Sequence, residues 1–315
     1  MADGPERRLS VLARQLGVED TGQLLSANPC ATSSGNAVAP LLAGQVALIT
    51  GKGIGEAAAL LLAAHGAAVV VCDIDGTAAQ LVAGAVQTFI EHEAGGRAVA
   101  VAGDVTAPDF GERAVGEALR AFGGLHILIN NAGYTWDGVA HKMSDEQWSA
   151  MLEVHCTAPF RLIRAAAPAM RDAAKAESQG SQVSCIINIS STSGTHGNAG
   201  QANYATAKAG VVGLTKAVAK EWGPLNVRCN AIAFGLIDTR LTRPKEQGES
   251  IQVGGQTVPL GIPSADAYWK QLKAQVPLRR VGTAEEAAGA ILALASPYSS
   301  YVTGQVLEVN GGSHM

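Results

Sequence analysis

The chain has no run of about 18 apolar residues, the length that a single membrane-crossing helix needs. Aromatic residues occupy only 4% of its 315 positions, although hydrophobic residues occupy 47%. That combination gives a core of small and aliphatic side chains, suited to close packing of helices on a sheet. No basic stripe is present and the formal net charge is −4, which excludes nucleic acid as a main partner. The five cysteines (Cys30, Cys72, Cys156, Cys185, Cys229) are scattered and contain no C-x-x-C pair. They therefore read as buried hydrophobes and not as disulfides or metal ligands. The histidines His65, His92, His126, His141 and His196 have no ligand spacing either, so no metal site is expected.

From Gln45 onward, β-rich apolar runs alternate with helical segments. The runs are Val46–Thr50, Ala68–Cys72, Ala98–Ala102, His126–Asn130, Cys185–Ser190, Val227–Ile232 and Gln305–Val309. The helices are expected over Ile54–Ala64, Ala78–Glu93, Asp109–Ala121, Asp145–Lys175, Asn203–Trp222 and Ala284–Ala295. Alternation of this kind implies an α/β fold, a Rossmann-type doubly wound parallel sheet of seven strands with helices on both faces. Residues 1–44 fall outside the pattern as an extension, leaving 45–315 as one domain. The segment 242–275 is longer than a plain connection and contains I-Q-V-G-G-Q-T-V-P-L, whose Gly254-Gly255 pair suits a hairpin turn.

The residues that carry chemistry are grouped in I-I-N-I-S-S-T-S-G-T-H-G-N-A-G-Q-A-N-Y-A-T-A-K-A-G, from Ile186 to Gly210. Tyr204 and Lys208, four apart, share one helix face. An ammonium beside a phenol favours the phenolate, so Tyr204 can exchange protons nearer neutrality. Ser191, upstream, supplies a hydroxyl able to hold a substrate oxygen. Upstream again, strand one enters T-G-K-G-I-G and then a helix; glycines there let backbone N–H groups approach a pyrophosphate at the helix N-terminus. Asp73, ending strand two, stands about where a carboxylate receives the adenosine ribose hydroxyls.

On these motifs the chain resembles the short-chain dehydrogenase/reductase family, in particular its 3-oxoacyl-carrier-protein reductase-like branch, over roughly Gln45 to Gly312. The resemblance implies NAD(P)-dependent interconversion of a secondary alcohol and a ketone. Tyr204 would exchange the proton, Lys208 would bind the nicotinamide ribose and tune Tyr204, and Ser191 would orient the substrate. Gly51, Lys52, Gly53, Ile54 and Gly55 would hold the pyrophosphate. G-D-V at Asp104 and Val105 resembles the adenine contact. Asn131, Ala132 and Gly133 resemble the turn beneath the cofactor, while Ile237 and Thr239 would face the nicotinamide amide. Three departures stand out. The glycine turn is two residues shorter than T-G-x-x-x-G-x-G, and also reads as Gly53-x-Gly55-x-x-Ala58. Phe234 replaces a proline. His155 replaces an asparagine that supports a relay water, a task open to imidazole. Asp73 repels a 2′-phosphate and favours NAD, whereas Lys52 favours NADP.

The two ends suggest an address. Residues 8–16, R-L-S-V-L-A-R-Q-L, match the pattern R-L-x5-[H/Q]-L read by a peroxisomal import receptor, and the chain ends S-H-M, a variant of S-K-L. The expected location is the peroxisome, with the mitochondrion or cytosol as alternatives. There, NAD-linked oxidation of a 3-hydroxyacyl thioester is the expected reaction. The rival enzyme reading is an NADPH-dependent 3-oxoacyl-carrier-protein reductase of fatty-acid synthesis. A rival of another class is a non-catalytic Rossmann-fold binding subunit, against which stand Ser191, Tyr204 and Lys208. A small-molecule acyl thioester or ketone is the expected partner, and the family's assembly segments imply a homotetramer.

Overall fold

The computed structural model describes residues 40–90, 98–172, 184–245, 249–253, 255–262 and 266–315. Seven parallel strands form the central sheet: β1 (Val46–Thr50), β2 (Ala68–Asp73), β3 (Ala98–Ala102), β4 (Ile127–Asn130), β5 (Ser184–Ser191), β6 (Val227–Phe234) and β9 (Val306–Val309). Their order is β3-β2-β1-β4-β5-β6-β9, as expected for a doubly wound sheet. β1, β5 and β6 are buried at every position because helices cover both faces, so they read as continuous apolar runs rather than alternations. The register runs Ile49 beside Val71 and Ile129, which brings the ends of β1, β2 and β4 level.

One face carries α1 (Ile54–Ala64), α2 (Gly76–Ile90) and α9 (Ala284–Ala295), packed on residues such as Ile49, Ile129 and Ile232. The other carries α3 (Phe110–Phe122), α5 (Ala158–Ala167) and α7 (Ala202–Trp222), packed on Leu48, Leu128 and Ile186. Between α3 and α5 lies α4 (Asp145–Leu152), started by a reciprocal capping box between Ser144 and Gln147. Pro40–Gly44, within the stretch assigned above to the extension, belong to the packed unit: Leu42 is fully buried and its N–H donates to the His65 carbonyl at 2.8 Å.

The single long helix expected from Asp145 is interrupted. Pro159 has no N–H for the carbonyl of residue 155, and the chain widens into a π turn over Glu153–Thr157, with the Ala158 N–H reaching the Glu153 carbonyl. A second wide turn, Pro168–Asp172, starts at the next proline. The expected hairpin is present as β7 (Ser250–Val253) antiparallel to β8 (Gln256–Pro259), with Gly255 at φ +81°. Among the described residues it pairs with no strand of the main sheet. α6 (Thr192–His196) and α8 (Asp266–Gln275) complete the elements named here.

Candidate active site

A cavity of about 710 Å³ opens at the C-terminal ends of β1 and β4, the point where the strand order reverses. Every residue assigned from sequence lines it except Gly55. Gly55 serves the wall from behind, since a Cβ there would lie 2.7 Å from Asn131 Nδ2.

The glycine turn is compact. Gly51 (φ +81°) and Gly53 (φ +69°) take backbone conformations that favour glycine, and a Cβ on Gly51 would meet Ala132 Cα at 2.8 Å. Thr50 Oγ1 accepts the N–H groups of Asn131 and Ala132, while Asn131 Nδ2 donates to the Thr50 carbonyl at 2.8 Å. The turns after β1 and β4 are thus tied into one unit. Gly53 caps α1 without a side-chain hydrogen bond, so no side chain competes for the helix's first amides. These features fit a dinucleotide, whose pyrophosphate needs close backbone approach.

Asp73 is buried and accepts the Asp75 N–H at 2.9 Å. Lys52 is not a free surface charge: its Nζ lies 2.9 Å from Asp75 Oδ2 and holds that carboxyl below its usual range. Asp104 is exposed and engages Thr106, accepting both its N–H and its hydroxyl. Ile237 is buried, and Thr242 Oγ1 donates to its carbonyl. Phe234 is buried at the end of β6 as part of the core.

Ser191 ends β5, and Tyr204 and Lys208 stand on α7. The Ser191 hydroxyl accepts from the Ser193 N–H at 3.1 Å and stands near enough to the Tyr204 phenol to favour its ionised form. Lys208 Nζ donates to the Ile189 carbonyl at 2.6 Å and sits 5.6 Å from the centre of the Tyr204 ring. The tuning differs from the expectation. Burial, with Asp137 adding to it, pushes the Tyr204 phenol up to about 12, while burial brings Lys208 down to about 7. Spacing showed that the two share a face; it did not show that both are desolvated, which disfavours the charged form of each.

His155 lies in the π turn, 3% exposed, with Nε2 2.8 Å from the Tyr134 carbonyl. A carbonyl only accepts, so Nε2 carries the hydrogen and Nδ1 is an acceptor. Among the described residues Nδ1 has no partner. Burial and the neighbouring Lys208 hold the imidazole well below its usual range.

Several positioning residues were not singled out from sequence. Asn203 donates to the carbonyls of Trp136 and Gln147 and accepts the Tyr204 N–H, fixing the start of α7 against α4. Asn188 bridges Asn130 and Thr215 beneath the site. Asparagines in β4, β5 and α7 were visible, but only the fold brings them to one layer. Above Tyr204, an apolar group of Tyr134, Met151, Val154 and Leu260 is covered by Ile251 of the hairpin. Gln256 Nε2 of the hairpin bonds Glu146 Oε2 of α4 at 2.8 Å.

A family model described as Enoyl-(Acyl carrier protein) reductase, of the short-chain alcohol dehydrogenase type, matches residues 48–314. The 3-oxoacyl-(acyl-carrier-protein) reductase FabG of Vibrio cholerae is 39% identical over 276 residues, covering 87% of this chain and 99% of the relative. Its Escherichia coli counterpart is 36% identical over 274 residues, covering 86% and 98%. Among solved structures, a short-chain dehydrogenase/reductase of Serratia marcescens carrying two Phe-to-Tyr changes superimposes with a TM-score of 0.72 at 32% identity, covering 87% and 99%.

These relatives correct the expected location. They are bacterial reductases named for acyl-carrier-protein substrates, from cells without peroxisomes, so the peroxisomal destination and its import receptor are withdrawn. Residues 8–16 lie outside the described residues. Within S-H-M, Ser313 and His314 line the cavity and His314 stacks on His196 at 4.3 Å, while Met315 is fully exposed. Among the described residues no helix is long and apolar enough to cross a membrane.

Proposed function

Since the chain belongs to the short-chain dehydrogenase/reductase family and is an NAD(P)-dependent oxidoreductase, we propose that it reduces a 3-oxoacyl thioester to the 3-hydroxyacyl thioester. The observation that supports this reading is that Ser191 and Tyr204 line one cavity beside the apolar group that Ile251 covers. Two hydroxyls converging on one point suit a carbonyl oxygen, which needs a hydrogen bond and then a proton. The relatives' names support the 3-oxoacyl class and the reductive direction, and with it fatty-acid synthesis over oxidation. A homotetramer stays part of the reading, supported by exposed Leu119, Trp148 and Phe160 on α3, α4 and α5.

The bound nicotinamide supplies hydride chemistry, and the chain's groups do the rest. Ser191 orients the ketone oxygen. Tyr204, protonated until well above neutrality, gives that oxygen its proton as charge develops. Lys208, when protonated, favours the resulting phenolate and binds the ribose. His155 offers Nδ1 as an uncharged acceptor for a relay water beside Lys208. The apolar group under the hairpin receives the acyl chain and excludes water.

NADH is the proposed cofactor in preference to NADPH. A 2′-phosphate at the end of β2 would meet Asp73 and Asp75, with Lys52 already paired to the latter. The NADPH reading rests on Lys52 leaving Asp75 for the phosphate. Purified protein mixed with each reduced cofactor and either a 3-oxoacyl or a 2-enoyl thioester tests the proposal. Consumption of NADH with the 3-oxoacyl compound alone is the expected result. Turnover of the 2-enoyl thioester alone would sink the substrate assignment, and a preference for NADPH would sink the cofactor assignment.

A further inference from the structure

Nearly every charge lining the cavity already has a partner. Asp104 is engaged by Thr106, Glu153 by Arg161, Asp137 by Gln201 and Asp73 by the Asp75 amide. Lys52 pairs with Asp75, and Lys208 donates to the Ile189 carbonyl. Arg240 is the exception. It is half-buried, lines the same cavity, and among the described residues makes no hydrogen bond or ion pair.

The backbone around Arg240 is held in place. Thr242 Oγ1 accepts the Thr239 N–H at 3.0 Å, Thr239 Oγ1 accepts the Leu241 N–H, and Arg243 pairs with Asp238. The Thr239 methyl rests on the glycine turn, 3.6 Å from where a Cβ on Gly53 would stand. Arg240 is therefore one residue from the place where an anion would meet the first amides of α1. That place is poor in positive charge. The turn T-G-K-G-I-G is short, α1 carries Glu56 in its first turn, and Lys52 is neutralised by Asp75.

We propose that Arg240 binds the pyrophosphate of the dinucleotide, supplying from the turn after β6 the positive charge that the short glycine turn lacks. A guanidinium suits this because its planar donors can take two phosphate oxygens at once. The proposal rests on the cofactor reading above, which requires a dinucleotide in this cavity. A thioester carrier also bears phosphate, so the test separates the two sources.

Titration of NADH and of ADP-ribose by fluorescence or calorimetry, without acyl substrate, is the direct measurement. Arg240→Gln should raise both Kd values about ten-fold or more, the scale of a lost hydrogen bond to a charged group. Arg240→Lys should fall between it and the wild type. Arg120→Gln, whose guanidinium pairs with Glu117 on α3 away from the cavity, should leave both Kd values unchanged. The salt dependence of binding should flatten in Arg240→Gln. Unchanged dinucleotide affinity in a folded Arg240→Gln protein would overturn the proposal. A raised KM confined to coenzyme A thioesters, absent with phosphate-free N-acetylcysteamine thioesters, would reassign the guanidinium to the substrate. Failure of the wild type to bind either nucleotide would overturn the cofactor reading itself.

Discussion

His155 stands edge-on to Tyr204, with ring centroids 5.0 Å apart and planes at 87°. The imidazole is held on its other side by the Tyr134 carbonyl, so the Tyr204 phenol packs against an anchored ring. Held well below its usual range, His155 stays uncharged through neutral pH and adds no positive charge beside Lys208. Its contribution is geometry and one buried acceptor.

His155→Ala should therefore lower kcat by about one order of magnitude, the scale of a single lost hydrogen bond. His155→Asn should restore part of it, and neither change should move the pH profile above pH 6. Steady-state pH profiles of the three proteins check this; a limb that vanishes with the imidazole would refute the neutral assignment.

Gly133 and His155 form a second test. A Cβ at Gly133 would lie 2.2 Å from His155 Cε1. Gly133→Ala should lower both Tm and activity in the wild type, yet cost much less in the His155→Ala background. A double-mutant cycle measures the coupling, and additive effects would show that the ring is free to move away.

Tyr204→Phe should reduce kcat by about 10³-fold, within the range for a positioned general acid, and leave the Kd for NADH near that of the wild type. Retention of most activity would remove Tyr204 from proton transfer.

Lys208 makes a prediction about stability. Burial lowers its pKa from 10.5 to about 7 in the folded chain. Below pH 7 the folded protein must hold a buried charge, and between 7 and 10.5 the unfolded chain binds the proton that the folded one has released. Stability from this group thus rises with pH across that window. Lys208→Met should stabilise the fold most below pH 7, on the order of a few kcal/mol, with the gain shrinking towards pH 10. Denaturant melts at three pH values decide it; a gain that grows with pH would reverse the sign.

Asp73→Ala should shift cofactor preference towards NADPH, since on the proposed reading the carboxylate that it removes would meet the 2′-phosphate. Asp75→Ala, which frees Lys52, should shift it further. Ratios of kcat/KM for the two cofactors are the readout, and a ratio unmoved by either change would place the selectivity elsewhere.

The sheet was legible because parallel strands buried on both faces leave unbroken apolar runs, and Val46–Thr50 could be read to the residue. Ser191, Tyr204 and Lys208 were legible because their spacing is local. The ionisation of Tyr204 and Lys208 was not, since desolvation belongs to the packed layers around them. The π turn at His155 was masked by an ordinary helical pattern, although Pro159 marked the place. Arg240 went unread because its meaning depends on Gly53, far away in sequence. The address-like ends misled because a short pattern carries no information about where its residues pack; His314 lies on His196.

The hairpin β7–β8 covers the apolar group beside Tyr204 but, among the described residues, shares no strand pairing with the seven-stranded sheet, and meets α4 through Gln256 and Glu146. Its length and side chains can change without disturbing the register that sets Ser191 beside Tyr204. Substrate range and hydride chemistry are in this sense separately inheritable. Changes confined to the hairpin are expected to alter which substrates fit beneath Ile251 while leaving the pairing of β5 with β4 and β6 as it is.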